Sequence, residues 1–211
     1  EVVLPPQRRS GTKIQTYGLI DRLRENAKFN IDSLAPFEKV VTGCASCTFM
    51  LKDYGAILPE GEYHEKAKKL AEKVVHISEF AAKAQPTQSP FVAEKHNPQN
   101  PPLPRGKKIK VTYHSSCHLR AAGVADAPRE LLRSNPNFEF VEMQDADRCA
   151  GGAGTFCVKN PKLSEEIFER KRQGIQKSGA EIVATSCPAC MIQLNNQLKG
   201  KVKVAHIAEL I

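Results

Sequence analysis

A chain of 211 residues that is 41% hydrophobic has room for one large domain or two small ones, with an ordinary core. No apolar run reaches membrane-spanning length and no signal peptide is visible; the seven cysteines, an odd number with x-x spacings, argue for reduced metal-binding thiols over a secreted disulfide framework. The net charge of +8 suits solubility first and an acidic partner second; with no basic stripe interleaved with aromatics and no Trp, it does not point to nucleic acid.

In chain order, residues 1–4 read as the end of a strand, followed by Pro5 and Pro6. The chain opens on Glu1 rather than Met, so it reads as a fragment or a processed chain. Leu19, Ile20, Leu23, Ala27, Ile31 and Leu34 recur at helical spacing and predict an amphipathic helix over 17–34. A strand is expected over 39–42, a helix over 45–51, a charged helix over 64–72 and a short strand over 73–77. Residues 81–106 hold six prolines (Pro86, Pro90, Pro98, Pro101, Pro102 and Pro104) and few apolar side chains, as a linker between two halves would.

The second half opens with a β-rich run over 109–113 that leads to Cys117. Pro128 starts a helix over 128–133, with Asp126 as a candidate cap. A strand is expected over 138–143, followed by the glycine-rich loop Cys149-Ala150-Gly151-Gly152-Ala153-Gly154. Asn160-Pro161 opens a helix that runs to Ser178-Gly179, with Leu163, Ile167 and Phe168 on one face. A strand over 181–185, a helix over 188–198 and a strand over 202–207 complete the chain. Strands alternating with helices predict an α/β fold with parallel sheets.

The halves repeat each other. Phe37-Glu38-Lys39-Val40-Val41-Thr42-Gly43-Cys44-Ala45-Ser46-Cys47 is echoed by Ala180-Glu181-Ile182-Val183-Ala184-Thr185-Ser186-Cys187-Pro188-Ala189-Cys190, and Val74-Val75-His76-Ile77 by Val204-Ala205-His206-Ile207. Each half thus reads as a small parallel-type sheet flanked by helices. The first half (1–80) is incomplete and carries Arg9 and Ser10 where the second (107–211) carries Cys149 and Ala150.

Cys117, Cys149, Cys187 and Cys190 each fall just after an expected strand or in the loop leaving one. The carboxyl ends of parallel strands converge on one edge, so these four thiols are expected to meet there. Four thiolates suit an iron–sulfur cluster or tetrahedral zinc. Gly151, Gly152 and Gly154 would let backbone N–H groups approach the sulfurs. Cys157 reads as a buried core cysteine rather than a fifth ligand. His114 and His118 flank Cys117 and His76 and His206 occupy matching repeat positions; all four read as structural. Three functions compete on these residues: an iron–sulfur electron carrier, a zinc-binding structural or interaction module, and a thiol–disulfide enzyme using Cys44/Cys47 or Cys187/Cys190.

The order Cys117, then Cys149-Ala150-Gly151, then Cys187-x-x-Cys190, with 31 residues between Cys117 and Cys149 and 36 between Ala150 and Cys187, resembles the cysteine-rich CCG domain family. Tyr113-His114-Ser115-Ser116-Cys117-His118 and Gly154-Thr155-Phe156 look like the same family. It includes one of the subunits of heterodisulfide reductase and the iron–sulfur subunits of glycolate, lactate and anaerobic glycerol-3-phosphate dehydrogenases.

The resemblance implies a [4Fe–4S] cluster in the second half. It also implies electron transfer between a hydroxy-acid or similar dehydrogenase and a quinone, thiol or disulfide acceptor. On that reading the chain is the electron-transfer part of an oxidoreductase rather than a complete enzyme. Its partners would be other subunits or domains of that complex, in the cytoplasm or at the inner face of the membrane. Ala150 stands where the family has a second Cys, so four thiolates of an ordinary cubane fit better than a five-cysteine cluster. Arg9-Ser10-Gly11 replaces the first-half Cys-Cys-Gly, so no cluster is expected on Cys44 and Cys47.

Overall fold

The computed structural model describes residues 1–84 and 108–211 and divides into two units, Glu1–Ile77 and Ser78–Ile211. Residues 85–107, most of the expected linker, lie outside the described residues.

In the first unit a short helix α1 (Thr12–Thr16) is followed by α2 (Ile20–Leu34). The expected start at residue 17 moves to Ile20 because Gly18 adopts φ +70°, a left-handed conformation that interrupts the helix. α2 buries Leu23, Ala27, Asn30, Ile31 and Leu34, the three- and four-residue spacing of one helical face. Strand β1 (Val40–Thr42) leads into α3 (Ala45–Lys52), α4 (Tyr54–Ile57), α5 (Glu62–Lys73) and β2 (Val74–His76); α6 (Ile77–Lys83) begins at the last residue of this unit, belongs otherwise to the second, and takes up the start of the expected linker. β1 and β2 are parallel, and their core contains Leu23, Ile31, Met50, Tyr54, Leu70 and Val74.

Tyr54 locks the entering segment in place. Its hydroxyl donates to the Ser10 carbonyl at 2.9 Å and accepts from Asn30 Nδ2 at 2.9 Å. Burial pushes its phenol up to about 12, against the opposing effect of the Asn30 bond. Residues 1–4 are not a strand; Val2 and Leu4 are exposed. Their counterparts in the repeat, 140–143, continue a strand that has a neighbour, and no described strand of the first unit stands beside residues 1–4.

The second unit holds a four-stranded parallel sheet of β3 (Ile109–His114), β4 (Phe138–Phe140), β5 (Ile182–Thr185) and β6 (Lys203–His206), in the order β4-β3-β5-β6. Between them run α7 (Cys117–Ala121), α8 (Ala127–Ser134), α9 (Phe156–Lys159), α10 (Pro161–Ser178) and α11 (Pro188–Leu198); a 3-10 turn, Ile207–Glu209, ends the fold. β4 stops at Phe140, short of the expected 143, although the Val141 N–H still donates to the Val111 carbonyl at 2.9 Å.

α10 corrects the expected face. Leu163 and Ile167 are exposed, and the buried side is Ser164, Phe168, Lys171, Gly174 and Ile175. Two polar residues therefore share the inward stripe. Gly174 is needed there, since a Cβ would come within 2.3 Å of the Gln144 carbonyl oxygen.

The repeat is structural as well as sequential. Val40 pairs with Val74 and Thr42 with His76; at the equivalent positions Val183 pairs with Val204 and Thr185 with His206. The chain is two duplicated halves, the first incomplete. In the second, β3 connects to β4 on one side and β5 to β6 on the other. The switch of direction lies between β3 and β5, whose carboxyl ends therefore border the crevice where ligands of parallel α/β sheets bind.

Candidate metal centre

Cys117 and Cys187 border that crevice. Cys117 opens α7 three residues after β3, and Cys187 caps α11 two residues after β5. Two hydrogen bonds clamp the strand ends together: the buried hydroxyls of Tyr113 and Ser186 meet at 2.9 Å, and Thr185 Oγ1 donates to the His114 carbonyl at 3.2 Å. Cys190 lies in the first turn of α11, and Cys149 lies in the loop between β4 and α9.

Cys190 feels the other three sulfurs. Its thiol hydrogen-bonds to Cys187, and that bond, burial and the negative charges that Cys187, Cys117 and Cys149 would carry all push it well above the ordinary thiol range. Cys190 thus lies within electrostatic reach of each of the other three thiols. Cys187 is buried at 3% exposure and Cys190 half-buried, while Cys117 and Cys149 face solvent, so the group has an inner wall and an open rim.

Among the described residues no group of three His, Cys, Asp or Glu side chains is closed to the spacing of a bound metal ion. The donor set nonetheless fits a soft cation. Packed thiols that resist ionisation become thiolates once a positive metal sits between them, because the ion inverts the local charge balance.

The loop carrying Cys149 is held from behind. Lys171 Nζ, buried on α10, donates to the Asp145 and Ala146 carbonyls, the latter at 2.8 Å. Burial lowers its ammonium to about 8, while Asp145, Asp147, Cys149 and Cys190 favour the charged form. Ser164 Oγ donates to the Gly151 carbonyl at 2.9 Å, and Gln193 Nε2 donates to the Ala150 carbonyl and to Ser164 Oγ, each at 3.0 Å. The Gly151 N–H turns toward Cys149 Sγ at 3.3 Å. Gly151 has φ +80°, and a Cβ there would meet the Ser164 carbonyl oxygen at 2.7 Å; Gly152 packs tightly on Gln193, and Gly154 has φ +62° with open space around it. Lys171, Ser164 and Gln193 are functional neighbours that the cysteine pattern does not reveal. For Ser164 and Lys171 the signal was the 164/168/171/175 spacing of α10, which sets polar residues in register with Phe168 and Ile175; Gln193, on α11, had no such signal.

The remaining residues divide. Cys157 lies on α9 and is half-buried rather than fully buried, since that single-turn helix sits at the surface beside α10. His206 caps the final 3-10 turn, its ring accepting from the Ala208 N–H at 3.2 Å. His114 is buried beside Cys117's strand exit, and neither its Nδ1 nor the Ser116 hydroxyl has a hydrogen-bond partner among the described residues.

Burial first, then the Lys171 charge, lowers His114 to about 3, so the folded chain holds it neutral. Between about pH 6.5 and that value the unfolded chain binds a proton that the folded chain refuses, and stability falls with acid. The metal-free protein should lose about 1.4 kcal/mol per pH unit from this residue below pH 6.5. Denaturation midpoints of wild type and His114→Asn between pH 6.5 and 4.5 check this: the variant should show the shallower dependence.

The model of the cysteine-rich domain, CCG, matches residues 111–195. Lactate utilization protein A of Oceanobacillus iheyensis is 32% identical over 199 residues, which cover 92% of this chain and 76% of that protein. The protein of the same name from Bacillus subtilis is 29% identical over 199 residues, 92% of this chain and 78% of the relative. One of the subunits of the fumarate reductase (CoM/CoB) of Methanothermobacter marburgensis is 31% identical over 206 residues, 95% of this chain but 37% of that protein.

Proposed function

Since the chain belongs to the cysteine-rich CCG domain family, we propose that it is an iron–sulfur electron-transfer component of an oxidoreductase, with Cys117, Cys149, Cys187 and Cys190 holding one [4Fe–4S] cluster. The observation that carries this reading is the placement of Cys117 and the Cys187-x-x-Cys190 pair at the adjoining carboxyl ends of the paired strands β3 and β5. A cluster there would supply one-electron chemistry at a potential tuned by hydrogen bonding, charge and exposure.

The chain's own residues do the rest. Cys187 and Cys190 anchor the inner side, and Cys117 and Cys149 close the outer side. Lys171 places a buried positive charge behind a site whose thiolates are negative. Gly151, Gly152 and Gly154 let the loop fold closely over the sulfurs. The exposed Cys117 and Cys149 leave one side open for electron exchange with a partner. The name lactate utilization protein A favours a hydroxy-acid such as lactate as the ultimate donor; the acceptor in this reading is a quinone, thiol or disulfide, reached through other subunits. Among the described residues no helix is long and apolar enough to cross a membrane.

Anaerobic preparation followed by iron and acid-labile sulfide assays and electron paramagnetic resonance tests this. The expected result is a brown protein with equal iron and sulfide and a paramagnetic signal on reduction. A colourless protein holding zinc without sulfide would replace the electron carrier with a structural zinc module.

A further inference from the structure

The first unit retains the strand-to-helix junction that in the second unit carries Cys187 and Cys190. Cys44 caps α3 at φ −130° and ψ 119°, against φ −134° and ψ 116° for Cys187 on α11. The two Cys-x-x-Cys turns leave their strands along the same backbone path. In the second unit that path brings the paired thiols into hydrogen-bond contact.

The surroundings differ. Arg9 and Ser10 stand where the second unit has Cys149 and Ala150, and Ser10 Oγ donates to Cys47 Sγ at 3.3 Å. Cys44 and Cys47 are both half-buried, so reagents reach them, whereas Cys187 is buried.

We propose that Cys44 and Cys47 are a redox-active dithiol, oxidised to an intramolecular disulfide by a low-molecular-weight disulfide. Their setting is a βαβ unit in which parallel β1 and β2 are joined through α3, α4 and α5, and a Cys-x-x-Cys at the junction of β1 and α3 is an arrangement suited to thiol–disulfide chemistry. The first turn of α3 offers backbone N–H groups and the positive end of the helix to a thiolate. The Ser10 hydroxyl adds a further donor.

In the first step one cysteine thiolate attacks a sulfur of the small disulfide, forming a mixed disulfide and expelling one thiolate. The second cysteine then attacks the protein-side sulfur and expels the other. The pair loses two electrons and two protons, and the small disulfide gains both as two thiols. The proposal does not depend on the cluster proposed for the second unit.

The test uses the full chain, purified anaerobically, exposed to oxidised glutathione and then to an alkylating reagent. Residues 40–52 form one tryptic peptide that contains both cysteines. The expected product is that peptide lighter by two hydrogens and carrying no alkyl group. Cys44→Ser and Cys47→Ser should each trap glutathione on the cysteine that remains, and Ser10→Ala should slow the reaction of wild-type Cys47 a few-fold, the worth of one hydrogen bond. A wild-type peptide that takes two alkyl groups, or that retains glutathione in place of the internal bond, overturns the proposal. Iron content measured on the same samples reports separately on the second unit.

Discussion

Cys187→Ser should abolish iron loading, while Cys157→Ser should leave it near the wild-type level. Cys187 is the most buried of the four, two residues past the end of β5, and is hydrogen-bonded to Cys190. A serine hydroxyl is close in size but is a hard, weakly acidic donor that iron–sulfur chemistry accepts poorly. The change is nearly isosteric, so the apo-protein should fold with little loss of stability, and circular dichroism separates lost loading from lost structure. Cys157 sits on α9, its N–H donating to the Gly152 carbonyl at 3.4 Å, and does not follow the end of a sheet strand as Cys117 and Cys187 do. Equal behaviour of the two variants would show that the ligands are wrongly assigned.

Gly151→Val should destabilise the fold by about 3 kcal/mol or more and lower loading with it. Two costs add. The backbone at Gly151 has φ +80°, which a β-branched residue resists, and a Cβ there would lie 2.7 Å from the Ser164 carbonyl oxygen, on the inward face of α10. Relief of that contact must shift either α10 or the loop, and the loop carries Cys149. Gly154→Ala is the control: its φ is also positive, but nothing lies within 4 Å of its added Cβ, so only the backbone cost of about 1 kcal/mol applies. Urea denaturation of the apo-proteins, with iron content after loading, measures both effects.

Much of this was legible in the sequence because strand–helix alternation and cysteine position are local signals. The helix at 188–198 and the duplicated Cys-x-x-Cys junctions could be read directly, and the matched register of Thr42 with His76 and Thr185 with His206 was implicit in the repeat. What escaped depended on tertiary context. Residues 1–4 have strand composition but no described strand beside them. Leu163 and Ile167 look like core residues, yet Gly174's close approach to the Gln144 carbonyl turns α10 so that Ser164 and Lys171 face inward. Single-turn helices such as α4 and α9 have too few residues to show a period.

The support behind Cys149 also reads differently from the cysteine pattern alone. A four-thiol motif suggests a site defined by its ligands. In the fold, Lys171, Ser164 and Gln193 on two helices hold the carbonyls of residues 145, 146, 150 and 151, so the position of one exposed ligand is set by buried polar groups behind it. Such carbonyls must find donors when buried, and the loop gains its shape by that requirement.

The most direct trial leaves the chain with only the four proposed ligands. Cys44, Cys47 and Cys157 are all changed to Ser, and iron and sulfide per chain are measured after anaerobic loading. If Cys117, Cys149, Cys187 and Cys190 suffice, this variant should match the wild type in both and keep its reduced paramagnetic spectrum. Loss of iron from it, with the fold intact, would mean that a sulfur outside the four is needed and that the centre lies elsewhere.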